Sequence, residues 1–263
     1  MALYRKTTSV SKIYRGSTEV NKIFRGQTQV YSSAPVYPYL TDDLILSLDA
    51  TDSNSYPGTG TTWTDLANNV TFTLTNGTYS SNNGGYINFN GDGWAASNSN
   101  IQVGSQSFTM EFWIRPTSAT QNQYANILDF EHSGPNTVTG GFVVQQASTN
   151  QNNFYWGWYH GSGFYSDGDS TKITLSVNSW THFVIVKDGA TSYFYVNGSV
   201  QSGATWTAAA STYVDNAQPV YVGRYAHGTY RNIKADYGAV RVYAKALSSS
   251  EVSSNYTNTN SNY

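Results

Sequence analysis

The chain has no cysteine among its 263 residues. Disulfides, thiolate metal sites and cysteine nucleophiles are therefore excluded. Charge is scarce: Asp, Glu, Lys and Arg make up 11% of the sequence, and the formal net charge is −2. The molecule as a whole carries no nucleic-acid-like basic field. No run approaches the roughly eighteen apolar residues a membrane helix needs, so no membrane insertion is expected. After Met1 the chain goes straight to ALYRKTT. That lacks an apolar signal core, and synthesis in a cytosol is the expectation. Strong helix formers are few. In their place stand 22 Tyr, 11 Phe, 7 Trp and 23 Gly, with many Ser, Thr and Asn. Large aromatic burial areas with polar turns favour β-structure.

What charge there is lies unevenly. Residues 1–31 hold six Lys/Arg and one Glu, giving +5; the remainder holds eight Lys/Arg and fifteen Asp/Glu, giving −7. The basic stretch is a ten-residue repeat. Tyr4, Tyr14 and Phe24 align, as do Arg5, Arg15 and Arg25, Thr8, Thr18 and Thr28, and Val10, Val20 and Val30. KIYRGSTEV reads as a hairpin turning at Arg15-Gly16. Each unit is too small to bury a core alone and needs neighbours. Residues 32–40, with Pro35 and Pro38, read as a linker.

Residues 41–263 read as short alternating strands. DLILSLDA, GGYINFNG and QSFTMEFWIRP each fit one. SWTHFVIVKDGATSYFYVNGSVQSG fits a three-stranded meander, turning at Asp188-Gly189 and Asn197-Gly198. YGAVRVYAKALSSSEV ends the pattern with a strand and a one- or two-turn helix, capped by Ser248 and Glu251. The whole predicts an all-β, two-sheet antiparallel jelly-roll sandwich with a short C-terminal helical turn, preceded by an N-terminal β-repeat arm.

SFTMEFWIRP, SWTHFVIVKDGATSYFYVNGS and VYVGRYAHGTYRNIKADYGAVRVYAKALSSSEVSSNY resemble the concanavalin A-like lectin/glucanase superfamily, in its laminin-G-like branch. LSLDATDSNSYPGTGTTWTDLANN followed by GGYINFNGDGW is similar to the opening of such domains in phage and bacterial proteins. The YRGSTEV repeat resembles N-terminal repeats of phage tail and other virion proteins. These resemblances imply a virion-surface protein. Residues 1–31 would anchor it to other virion proteins or oligomerise it, with a trimer favoured. The body at 41–263 would face outward for host glycan attachment or particle decoration. Arg5, Tyr14, Arg15, Phe24 and Arg25 are the anchoring candidates.

The resemblance also raises the enzyme alternative, a polysaccharide depolymerase. Family 16 hydrolases carry E-x-D-x-E on one strand. In NILDFEH, Asp129 and Glu131 match the second and third positions, but the nucleophile position holds Ile127. The acids read as a solvated strand-end pair, and no catalytic residue is assigned. G-x-S-x-G, H-E-x-x-H and Walker motifs are absent. His132, His160, His182 and His227 lie far apart in sequence, and His182 reads as structural. Calcium is common in related lectins. Here Asp167 and Asp169 in SDGDS and Asp92 in NGDG read as acidic turns, so no metal site or cofactor is assigned. A calcium site gathered from separate loops stays open.

For glycan contact the densest aromatic run is NNFYWGWYHGSGFY. Phe154, Trp156 and Trp158 share one face, which is expected to be buried. Tyr155 and Tyr159 share the other, with Gly157 between them, and are the first glycan-binding candidates. Trp94 and Trp206, read as lying in polar loops, are the second.

Overall fold

The computed structural model describes residues 14–15, 18–19, 22–25, 28–32, 37–130, 141–147, 151–160, 163–166, 172–207, 215–228 and 231–263. The chain divides into two compact units, residues 1–38 and 39–263. In the first, β1 (Tyr14–Arg15) pairs antiparallel with β2 (Thr18–Glu19), and β3 (Lys22–Arg25) with β4 (Thr28–Ser32). Arg15 is itself laddered to Thr18. Arg15 is therefore a strand residue, where the sequence suggested a turn position.

The second unit opens with β5 (Leu44–Asp49), β6 (Thr62–Thr64), β7 (Thr71–Thr75), β8 (Thr78–Ser80), β9 (Tyr86–Asn90) and β10 (Trp94–Ser97). Then come β11 (Phe108–Pro116), β12 (Asn126–Asp129), β13 (Phe142–Gln146), β14 (Asn153–His160), β15 (Gly163–Ser166) and β16 (Ile173–Thr174). The rest is β17 (Thr181–Asp188), β18 (Thr191–Val196), β19 (Ser199–Thr207), β20 (Tyr221–Val222), β21 (Lys234–Tyr243) and helix α1 (Ser249–Thr259). One nine-stranded sheet runs β15-β14-β13-β12-β20-β10-β7-β6, with β16 also on β14; an eight-stranded sheet runs β19-β18-β17-β11-β21-β9-β8, with β5 also on β21. The two antiparallel sheets form the expected sandwich.

Local chemistry explains the meander. β17, β18 and β19 pair in sequence. Asn197 and Gly198 take φ of 50° and 74°, the left-handed pair that a tight hairpin of matching twist requires. Gly198 is needed twice over, because a Cβ there would stand 2.9 Å from the Tyr256 ring.

The core between the sheets is aromatic. Trp63, Phe72, Phe108, Phe112, Phe142, Phe154, Trp156 and Trp158 are all fully buried. Phe108 stacks on Phe142 at 4.8 Å and meets Trp156 edge-on at 5.8 Å. The expected burial of the Trp156/Trp158 face is observed.

The eight-stranded sheet is covered on its outer side too. Val184, Val186, Tyr195 and Tyr243 cluster there with Leu247 and with Val252 of α1. The helix runs eleven residues, longer than the expected one or two turns, and has the Ser248–Glu251 capping box. Its extra length seats Asn255 and Thr259 against the sheet. Asn255 donates to Glu111 Oε2 at 2.6 Å, and Thr259 Oγ1 accepts from Trp113 Nε1 at 2.9 Å. Beneath it Arg241 bridges Glu111 at 2.8 Å and Asp49 at 2.6 Å. The Tyr39 ring covers the Arg241 guanidinium at 3.7 Å. His182 lies buried 3.6 Å from Glu111, between Trp113 and Tyr256, consistent with a structural histidine.

Candidate functional site

Cross-strand partners share a sheet face, so the register of the nine-stranded sheet defines what its outer face carries. One row runs Thr62, Thr73, Ala96, Tyr221, Asp129, Val143, Gly157 and Ser166, across eight strands. Beside it Asn126 faces Gln145, and Gln145 faces Tyr155. The opposite face at this point is core: Leu128, Val144 and Trp156 pair across β12, β13 and β14 and are fully buried.

This outer face is polar yet hidden. Asn126 and Asp129 are 0% exposed, Gln145 6% and Tyr155 8%. Gln145 Nε2 donates to the Tyr155 hydroxyl at 2.5 Å. Asp129 Oδ2 accepts from the Ala226 backbone N–H at 2.9 Å and lies 3.5 Å from Asn126 Nδ2. Asn126 Oδ1 is buried with no hydrogen-bond donor among the described residues. An unmet acceptor of that kind is costly unless something supplies a proton.

A β-bulge organises the pair. The register slips between Asn126 and Leu128, so residues three apart share the outer face while Ile127 joins the core. Simple alternation, which would put Ile127 beside Asp129, fails here. Asn126 takes that place. Asp129 is buried rather than solvated, because the 224–228 loop holds it through Ala226.

Aromatic and basic side chains pair on this face and in the loops beside it. Trp94 lies across from Thr75, and its neighbour Ala95 is buried core. The Arg224 guanidinium sits 4.3 Å from the Trp94 ring centre and 6.0 Å from that of Tyr221. Arg231 lies 4.3 Å from Tyr225 and 5.2 Å from Tyr124. Tyr124 has φ of 55°, a left-handed conformation that a bulky residue holds only under constraint. The constraint is the buried Gln146, whose Oε1 accepts from the Tyr124 N–H at 3.0 Å.

Of the sequence candidates, Tyr155 and Trp94 are thus on one sheet face. Tyr159 is in the same strand, opposite Phe164. Trp206 is in β19 of the other sheet, opposite Ser192. Trp94 and Trp206 both lie in strands; a strand with polar outward positions looks like a loop in sequence. Arg15 is exposed in the first hairpin, where Tyr14 precedes it, and Phe24 and Arg25 lie in β3. Arg5, Glu131, His132, Asp167 and Asp169 fall outside the described residues. Asp92 is exposed, 3.5 Å from Asn76 Nδ2. Among the described residues no three His, Asp or Glu side chains gather as a metal site would require. Sequence reading passed over Asn126, Tyr124, Tyr221 and Arg224. The bulge and the Tyr124 backbone conformation leave no local signature.

The chain belongs to the concanavalin A-like lectin/glucanases superfamily, whose Laminin_G_3 model matches residues 88–253. No curated protein matches it. Solved structures do. A Trypanosoma rangeli sialidase mutant displaying trans-sialidase activity aligns at 16% identity and TM-score 0.59, over 88% of this chain and 35% of that one. The receptor binding domain of botulinum neurotoxin type G aligns at 17% and 0.58, over 82% and 51%. Domain 4 of AbnA, a GH43 arabinanase from Geobacillus stearothermophilus in complex with arabinotriose, aligns at 16% and 0.59, over 81% and 98%. This chain thus spans about a third of the first and half of the second. At such identities the likeness establishes the fold.

Proposed function

We propose that this is a non-catalytic adhesion protein of a phage particle that contacts host glycan through the outer face of the nine-stranded sheet. The observation carrying the glycan reading is the polar Asn126–Asp129–Gln145–Tyr155 set beside the half-buried rings of Trp94 and Tyr221. A saccharide hydroxyl both donates and accepts. It would bond the Gln145–Tyr155 end of the set, which keeps 6% and 8% exposure, while the rings of Trp94 and Tyr221 flank the sugar. The arabinotriose complex of a structurally similar domain supports the reading.

The position beside Asp129 is filled by an amide, Asn126, which cannot attack an anomeric carbon as a retaining nucleophile does. That favours binding over hydrolysis. The virion part rests on the basic repeat, +5 over residues 1–31, and on its resemblance to virion-protein repeats. In this reading the arm docks to other virion proteins, a trimer being the favoured assembly.

The test is saccharide binding by calorimetry across a panel of host polysaccharide fragments, with reducing-end release assayed in parallel. Binding that is lost in Gln145→Ala and Tyr155→Phe, with both variants folded, is expected. Binding unaffected by both would remove the site. Reducing ends released at an enzyme-like rate and lost in Asp129→Asn would replace the reading with a hydrolase.

A further inference from the structure

The described arginines of the sandwich are not alike. Arg115 pairs with Asp236 at 2.7 Å, and Arg241 with Asp49 and Glu111. Arg224 has no such carboxylate partner among the described residues. Its Nε–H donates to the carbonyls of Tyr225 and Gly228, both at 3.2 Å. Its plane packs against Trp94 at 4.3 Å. Among the described residues no carboxylate stands within ion-pair distance of it, and its two terminal nitrogens have no hydrogen-bond acceptor. It is only partly buried. Asp129, the row neighbour of Tyr221, accepts from the Ala226 N–H, a bond that pins the 224–228 loop to the sheet.

A guanidinium fixed through its Nε and one face, with its terminal N–H groups left over, is preorganised to grip two oxygens of a planar or tetrahedral anion. Its immobilisation is already accounted for in the free protein, so little entropy is lost on binding. Residues 32–263 carry −7, which makes a fixed cation without a protein counter-ion stand out on this body.

We infer that Arg224 is the receptor for an anionic group, carboxylate or phosphate, on the saccharide bound along the Ala96–Tyr221–Asp129–Gly157 row. This rests on the glycan reading and narrows it to acidic glycans. Trp94 is then a positioning residue for Arg224 rather than a sugar platform on the ring face that Arg224 covers.

The experiment uses the full chain and three probes: methyl β-glucuronide, methyl β-glucoside and glycerol phosphate. The glucuronide is expected to bind roughly tenfold or more tighter than the glucoside, the scale of a charge-assisted hydrogen-bonded pair. Added salt should weaken the glucuronide alone. Arg224→Lys keeps the charge but loses the fork and the stacking, and should abolish the preference with an unchanged melting profile. The salt titration on unmutated protein covers the case in which that variant misfolds. Preference for glycerol phosphate over glucuronide also supports the anion site and assigns phosphate as its source. Binding of glycerol phosphate with neither sugar supports the anion site and overturns the glycan reading. Equal affinity for glucuronide and glucoside, or an undiminished preference in a folded Arg224→Lys, overturns the inference and leaves the glycan reading standing. No binding of any probe at millimolar concentration overturns it outright.

Discussion

Glu111 and Arg241, 130 residues apart in the chain, meet at 2.8 Å in the interior beneath the C-terminal helix. Burial alone would raise the Glu111 pKa, but the nearby His182 ring, the Arg241 charge and the Asn255 bond outweigh it, bringing the group from 4.5 down to about 2. A depressed carboxylate stabilises the fold above its unfolded pKa, and that contribution is lost as pH falls through the folded one. Its size is about 3 kcal/mol by the linkage conversion. Thermal melts from pH 5 down to about pH 2 should show a decline that is shallower in Glu111→Gln. Equal slopes would mean that other carboxyls drive acid unfolding. Arg241→Met should be worse than Glu111→Gln at neutral pH. It strands two buried carboxylates, at a cost of roughly 3–5 kcal/mol.

The two faces of β14 should respond differently to truncation. Trp156→Ala and Trp158→Ala each empty a fully buried site, at roughly 3–5 kcal/mol. Tyr155→Phe removes only the hydroxyl bonded to Gln145, at about 1 kcal/mol, and should alter glycan binding more than stability. Chemical denaturation separates these cases. Wild-type midpoints for both Trp variants would mean the core face is misassigned.

Gly198→Ala should destabilise by about 1–2 kcal/mol from the left-handed backbone alone. The contact with Tyr256 adds to this. An Asn197→Gly change at the preceding turn position keeps the permitted conformation but loses the bond its Oδ1 accepts from the His182 N–H at 3.0 Å, and should cost about 1 kcal/mol. Midpoints from urea titration check both, and a harmless Gly198→Ala would show that the turn relaxes.

Removing residues 1–31 should leave the compact 39–263 unit folded, with the same melting temperature. The truncated protein should no longer join particles, and residues 1–31 fused to an unrelated soluble domain should recruit it. Normal copy number of the truncated protein on purified particles would move the docking surface onto the sandwich.

How much of this was legible in the sequence depended on the range of the interactions involved. The Asn197-Gly198 turn and the Ser248–Glu251 capping box were readable because each is decided within a few residues. Asp129 was not. Its setting depends on a bulge that appears only when β12 pairs with β13, and on a backbone amide from Ala226, 97 residues away. Trp94 read as a loop residue because polar outward positions mask a strand in a one-dimensional pattern.

The sequence by itself determined the all-β class, the meander, the capped helix, the aromatic core face of β14 and the charge contrast between arm and body. Periodicity, turn chemistry and composition act locally, so no partner strand is needed to read them. Only the tertiary structure decided that Asn126 rather than Ile127 stands beside Asp129, that Arg241 is shared between Glu111 and Asp49, and that Arg224 lies on Trp94 with no carboxylate partner among the described residues. Each of these depends on strand register and on which distant chain segment arrives overhead. Those are settled by the packing of the two sheets, through contacts that local sequence does not encode.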